Sequence, residues 1–431
     1  MAGLLTLARS LEPNRHFGKL WLSQLLSLTA FNMVNFTLLI RVFELTGSTT
    51  LVSLFILSFG LPSLLFGAIA GVFADRWNRR TVVIVTNLLR TLVVLAYLPA
   101  LSNLPAIYFT TFVMASVTQF FTPAEGALIP ELVERKRLVA ANAIFMMTMF
   151  ASFVLGYGLD GPLAAAGGDR LPILVACAMF GLATLTCLTL PKIREVTSRI
   201  PIKQAYLDVA GHLREGFRVV RGSGPLRFGL AQLTFIWAVI GVVMVVVPAF
   251  TAEVLGLNLR EVSRLIILPI GVGMLFGGYL LHKARRQFST RVVVTACLFL
   301  AGGAVAALGQ VGGLSHALID SGLSPSDNFA GVQQFLTSAA STLLGLTMAI
   351  VMIAGQTLIH EHTPPDVRGR IFGVLGMSVN AANTIPVLLA GALTDLLRVS
   401  TVISLVGGAL LIWAVCSIRL GRAVRPVDRQ A

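Results

Sequence analysis

Apolar stretches of about twenty residues, separated by short polar turns, run through this chain from end to end. They fall near 18–41, 50–74, 81–101, 105–125, 139–164 and 171–190, and again near 226–250, 262–281, 291–312, 336–359, 371–394 and 400–420. A helix of about twenty residues crosses the roughly 30 Å hydrocarbon core of a bilayer. Backbone in lipid must satisfy its own hydrogen bonds, so each stretch predicts a spanning helix. The pattern therefore predicts an all-α polytopic membrane protein of twelve transmembrane helices in two six-helix halves. The expected organisation is a first half over 1–191, a polar linker over 192–224 and a second half over 225–431 that ends in a short tail.

Composition agrees: 56% of the 431 residues are hydrophobic and only 12% are charged, with a mean hydropathy of +0.84. A soluble fold carries about a quarter charged residues. The net charge of +14 would suit nucleic-acid binding if it lay on one surface. Most Lys and Arg residues fall instead in alternate short loops and at the chain ends, as in Arg76–Arg80, residues 135–137, the linker and residues 283–291. That is the positive-inside bias, and it needs no nucleic acid. These loops and both termini are expected in the cytoplasm, with the chain in the cell (inner) membrane in contact with lipid. The intervening loops carry little charge. The longest of them, Gly312–Phe335, is rich in Gly and Ser and reads as a loop too short for a folded domain.

Within the linker, Ile202, Tyr206, Val209, Leu213, Phe217 and Val220 recur at helical spacing. They predict an amphipathic helix on the membrane surface, with Arg214, Arg218 and Arg221 turned to lipid phosphate or solvent. The cysteines Cys177, Cys187, Cys297 and Cys416 all lie in apolar runs without metal-like spacing, so neither a disulfide nor a metal site is expected. No phosphate-binding loop is visible, so no ATP, no other cofactor and no enzymatic activity are expected.

The turn after the second apolar stretch reads GAIAGVFADRWNRR over residues 67–80. Gly67 and Gly71 leave one helix face bare for close approach of a neighbour, and Asp75 is flanked by Arg76, Arg79 and Arg80. The pattern resembles the loop between the second and third helices of the major facilitator superfamily, with Asn78 where that family carries Gly. Asn tolerates a left-handed turn nearly as well. A fainter copy, Gly271, Gly273, Gly277 and Gly278 before residues 282–286, sits at the matching place in the second half, without the Asp. Further stretches narrow the resemblance to the drug, macrolide and siderophore (enterobactin) exporter branch: residues 122–144, residues 362–374, Leu45–Ser48 and Asn87–Arg90. In the fifth span Tyr157 stands where such exporters carry Pro.

The resemblance implies a secondary transporter exporting a small amphiphilic compound by proton antiport and alternating access, acting as a monomer. It gives Gly67, Gly71, Asp75, Arg76, Arg79 and Arg80 a gating role, Asp75 holding the cytoplasmic side closed. A lipid or lysolipid mover of the same fold is the alternative within transport, and a non-transporting membrane sensor or assembly protein the alternative outside it. Arg90 in the third span either pairs with a carboxylate or snorkels to the interface. Glu125, at the end of the fourth stretch, is expected at the interface. Asp160, within the fifth stretch, is the candidate for carrying the coupling proton. Polar residues within spans turn towards protein or a cavity. The candidates for lining a substrate cavity are Gln24, Asn32, Asn35, Gln119, Gln232, Trp237, Gln356, Asn380 and Asn383.

Overall fold

The computed structural model describes residues 15–134, 137–191, 211, 214–284, 287–321, 329–364 and 367–421. Among them, twelve helices are long and apolar enough to cross a membrane. We label their α-helical parts α1 (Arg15–Thr46), α2 (Thr49–Arg76), α3 (Arg79–Ala100), α4 (Leu104–Leu132), α5 (Leu138–Gly167), α6 (Arg170–Leu188), α7 (Gly224–Ala249), α8 (Leu268–Ala284), α9 (Thr290–Gly309), α10 (Phe329–His362), α11 (Arg368–Leu396) and α12 (Val399–Gly421); the seventh span runs on through the turn Phe250–Val254, and the eighth begins at Leu259. The helix starts follow ordinary capping chemistry. Asn103 Oδ1 accepts the Ala106 N–H at 3.0 Å, and Ser223 caps α7 in the same way. Gly47 and Gly168 take positive φ in the tight turns before α2 and α6, where a side chain would be strained.

The chain divides into two compact units. One contains residues 1–46 and 55–209, and the other contains residues 47–54 and 210–431. The boundary therefore falls inside the linker, and the first turn of α2 groups with the second unit. In the first unit α1 packs on α5 and α6, and α3 on α4 and α6. In the second, α8 packs on α10, α9 on α12, and α7 on α10 and α11. Glycine makes several of these contacts possible. A Cβ on Gly345 of α10 would lie 2.0 Å from the Ile270 carbonyl of α8, and one on Gly273 would lie 2.0 Å from the Thr342 carbonyl. Of the repeated glycines of the second half, Gly273 and Gly277, where a Cβ would lie 2.8 Å from the Leu346 carbonyl, thus make backbone contacts.

Two expectations change. The stretch Gly312–Phe335 is not loop throughout, because a short helix, Val311–Asp320, follows α9. Glycines at 312 and 313 weaken helix propensity without removing the hydrogen bonds that continue it. The expected linker helix can be followed only over 214–222, which is helical, with Arg214, Arg218 and Arg221 exposed. Its remainder, 192–210, lies outside the described residues. Glu215 pairs there with Arg370 at the start of α11, and Gly216 packs against the Arg370 carbonyl.

Candidate functional site

The basic turn between α2 and α3 is built around Asn78. Its side chain accepts the Thr81 N–H at 3.3 Å, and its backbone is extended at φ −60°, ψ 111°. Asn stands in this turn as a helix cap rather than as a left-handed residue, contrary to the reading from sequence. Arg79 forms an ion pair with Glu131 of α4 and donates to the Ala127 carbonyl at 3.3 Å. Arg80 donates to the Leu188 carbonyl at 2.7 Å, and Lys19 to the Thr189 carbonyl at 3.2 Å. Both cations thereby satisfy carbonyls at the end of α6 that the helix itself leaves open. Gly67 faces Gln119 of α4, whose Oε1 lies 4.0 Å from where a Cβ would be. Gly71, Asp75 and Arg76 lie on α2, with their side chains outside the described residues.

Arg90 does not snorkel. It is 2% exposed, with its guanidinium 4.0 Å above the Phe121 ring and 5.8 Å from that of Phe180. Its Nη1 approaches Asn87 Oδ1 at 3.5 Å. The same oxygen accepts the Ser27 hydroxyl at 3.0 Å, and Asn87 Nδ2 donates to Ser23 Oγ at 3.4 Å. Ser23 in turn lies 2.9 Å from Cys187 Sγ. A polar chain thus runs through the apolar bundle from α1 through α3 to α6. Nor does Glu125 stand at the end of its helix. It is 7% exposed, because α4 continues beyond it to Leu132, about 10 Å further at 1.5 Å per residue.

Asp160 is buried in α5 and accepts the Thr37 hydroxyl of α1. Close approach of the two helices comes from Gly156, where a Cβ would sit 2.6 Å from Asn32 Cβ. Tyr157 stacks on Phe153 with ring centroids 4.4 Å apart.

The cavity candidates separate into two groups. Gln232 is 1% exposed, accepts the Trp413 indole N–H at 2.9 Å and donates to Ser417 at 2.9 Å. Both ends of its amide are used in joining α7 to α12. Gln24 is buried at 7%, with Oε1 unpartnered. Asn32, Asn35, Gln119, Trp237, Gln356, Asn380 and Asn383 are half-buried. Asn383 packs on α7, where a Cβ on Gly241 would lie 2.6 Å from its Oδ1.

Two features of the second unit escaped the sequence reading. A cavity walled by Val246, Phe250, Ile270, Leu344 and Ile403 also carries the buried Ser341, whose hydroxyl has no partner. At the end of α11, Asp395 gathers the start of α2: Oδ1 accepts the Thr49 N–H at 2.7 Å, and Oδ2 the Thr50 N–H at 3.0 Å. The signal was present, as an acid at one span end and a Ser-Thr-Thr run at the start of another. Their separation in sequence gave no reason to pair them. Among the described residues no group of His, Cys, Asp and Glu is arranged to hold a metal.

Twelve helices long and apolar enough to cross a membrane, in two units with a polar network buried in the first, define a polytopic membrane protein. The chain belongs to the Major Facilitator Superfamily, whose family model matches residues 20–324 and 321–431. It is 22% identical over 422 residues to macrolide efflux protein A of Streptococcus pyogenes, covering 96% of this chain and 97% of that one. It is 26% identical over 433 residues to the enterobactin exporter EntS of Salmonella typhimurium, with 97% and 96% covered. Among solved structures, a bacterial homologue of the iron transporter ferroportin in an inward-facing state aligns with a TM-score of 0.71 at 16% identity, covering 95% of this chain and 99% of that chain. The nucleoside transporter NupG aligns with a TM-score of 0.70 at 12% identity, covering 94% and 99%. The family is one of transporters and not of enzymes.

Proposed function

We propose that this protein exports a small amphiphilic compound across the cell (inner) membrane in exchange for protons, by alternating access between its two units. The observation that carries the reading is the full-length match to two efflux proteins, one for macrolides and one for enterobactin. The half-buried amides of Asn32, Asn35, Gln119, Asn380 and Asn383 support it, since lipid cannot satisfy such groups within a span. Asn32, Asn35 and Gln119 within the first unit, and Trp237, Gln356, Asn380 and Asn383 within the second, are each polar groups of the kind that contact an otherwise apolar molecule. The end of the first unit bearing Lys19, Arg79 and Arg80 faces the cytoplasm, as do both termini. Asp75 helps hold that side closed. Among the described residues, Asp160 and Glu125 are acids buried within spans of the first unit and are groups available to bind the coupling proton.

The test is transport by the purified full-length protein in proteoliposomes under an imposed pH gradient, with labelled macrolide, catecholate siderophore, cationic dye and lysolipid as separate probes. Gradient-driven movement of a macrolide, siderophore or dye is expected. Movement of lysolipid alone would transfer the assignment to a lipid mover, and movement of none would overturn the export reading. For orientation, Gln287→Cys at the basic end and Ser102→Cys at the opposite end are introduced into a background free of native cysteines. An impermeant maleimide should label only Ser102→Cys in intact cells.

A further inference from the structure

We propose that Glu125 carries the coupling proton, with Arg90 as its fixed counter-charge. The proposal rests on the proton-antiport reading above and assigns that role to a residue other than Asp160. Glu125 is 7% exposed and Arg90 2% exposed, in a bundle whose surrounding core is Phe17, Leu20, Phe121, Ala124 and Leu128. A buried pair that serves only structure is expected in direct contact, with its lone pairs and N–H groups filled, because each ion otherwise retains a large desolvation penalty. Here Glu125 Oε1 and Arg90 Nε both lack hydrogen-bond partners. The two charges act on each other without a salt bridge between them among the described residues.

The second step is what Arg90 has instead. Its guanidinium lies 4.0 Å over the Phe121 ring and reaches Asn87 Oδ1 at 3.5 Å. A cation held by an aromatic face and an amide stays stabilised when its carboxylate partner is neutralised. Glu125 can therefore take a proton from water onto a carboxylate oxygen, forming an O–H bond and losing its negative charge, without leaving Arg90 bare. The reverse step returns the proton to water when access changes sides. Asp160 differs, since its carboxylate is already engaged by Thr37. The other titratable groups facing Glu125 are few. Cys187 of α6 feels its charge. Arg79 is committed to Glu131, while Arg80 and Lys19 are bonded to carbonyls at the end of α6. On α2, the side chains of Asp75 and Arg76 lie outside the described residues.

The third step links the proton to movement. Arg90 shares Asn87 Oδ1 with Ser27, and Asn87 continues to Ser23. A change in the pull on Arg90 is thereby felt by α1, α3 and α4 together. A cation placed between a titrating carboxylate and an amide network that ties three helices is an element on which such coupling acts.

The experiment uses full-length protein in proteoliposomes with labelled erythromycin as probe, comparing pH-gradient-driven efflux with gradient-independent counterflow, together with infrared titration of protonated-carboxyl absorption. Glu125→Gln is expected to lose at least tenfold in gradient-driven efflux, to keep counterflow within about threefold, and to lose one titrating carboxyl band. Glu125→Asp should restore gradient-driven efflux, with a displaced band and a displaced pH profile. Gradient-driven efflux retained in Glu125→Gln would overturn the assignment while leaving antiport intact. Wild-type protein that shows counterflow but no response to the gradient would overturn antiport and this assignment together. If Glu125→Gln does not fold, Glu125→Asp decides, and an unchanged band and pH profile in that variant overturn the proposal.

Discussion

Asp395 at the end of α11 caps the first turn of α2 through Thr49, whose backbone N–H it accepts at 2.7 Å and whose hydroxyl it also accepts. A carboxylate at a helix N-terminus satisfies open N–H groups and sits favourably in the helix field. Gly391, one turn earlier, lets the helices touch, because a Cβ there would lie 2.7 Å from the Thr49 carbonyl. Since α2 continues from these residues into the first unit, the cap governs how firmly its first turn is held.

The first prediction follows from that cap. Charge-assisted bonds of this kind contribute about 2 kcal/mol, or roughly a factor of thirty in an opening equilibrium. Asp395→Asn keeps one acceptor and loses the charge. A Ser53→Cys reporter, buried beside Gly391, should react at least fivefold faster with maleimide in Asp395→Asn than in the same cysteine-free background with Asp395 intact. An unchanged rate would mean that Asp395 does not hold this end.

The second prediction concerns packing between α8 and α10. Gly345→Ala forces a methyl to 2.0 Å from the Ile270 carbonyl, which is backbone and cannot swing aside. Overpacking of this kind costs about 1–3 kcal/mol or more. Gly303→Ala meets nothing within 4 Å. Fluorescence-detected thermal unfolding in detergent should place Gly345→Ala several degrees below wild type and Gly303→Ala at or above it. Equal melting would remove close helix approach as the reason for glycine at 345.

The twelve-helix pattern was legible because lipid imposes one rule on every span. The interior of the bundles was less so. Glu125 looked like an interfacial acid because the fourth apolar stretch, near 105–125, ends at it. The helix runs on to Leu132, carrying Pro123 and Pro130 inside it, as neighbouring helices allow. Gln232 read as a cavity residue because a polar group within a span needs a partner. Trp413 and Ser417, nearly two hundred positions away, are those partners. Asn78 was assigned a left-handed turn from the family pattern, whereas its amide is used to cap α3. In each case the residue type announced a polar need, and only the tertiary structure showed what met it.

The third prediction uses that distinction. Gln232→Leu would strand the Trp413 N–H in an apolar interior and leave the Ser417 hydroxyl only Thr295 at 3.5 Å, at about 1–2 kcal/mol. Melting temperature should fall while the KM for a transported probe stays within twofold. Asn383→Leu on α11 should behave oppositely, with KM rising several-fold at little cost in stability. Interchanged outcomes would exchange the roles of the two amides.

The last prediction returns to Asp160. Its carboxylate accepts from Thr37 across the α1 and α5 contact, and Gly156 brings those helices together one turn earlier. Asparagine presents an oxygen in the same place, so Asp160→Asn can keep this bond while losing any capacity to exchange a proton. If Asp160 holds the helices together and Glu125 carries the proton, Asp160→Asn should retain pH-gradient-driven efflux within about twofold. Asp160→Leu, which removes the bond between the helices and leaves the Thr37 hydroxyl only its own-helix bond to the Met33 carbonyl at 3.0 Å, should melt lower, in line with about 1 kcal/mol for a lost hydrogen bond. Efflux under the gradient and melting temperature, measured on both variants, separate the two roles. Loss of gradient-driven efflux in a fully folded Asp160→Asn, with counterflow intact, would return the coupling role to Asp160.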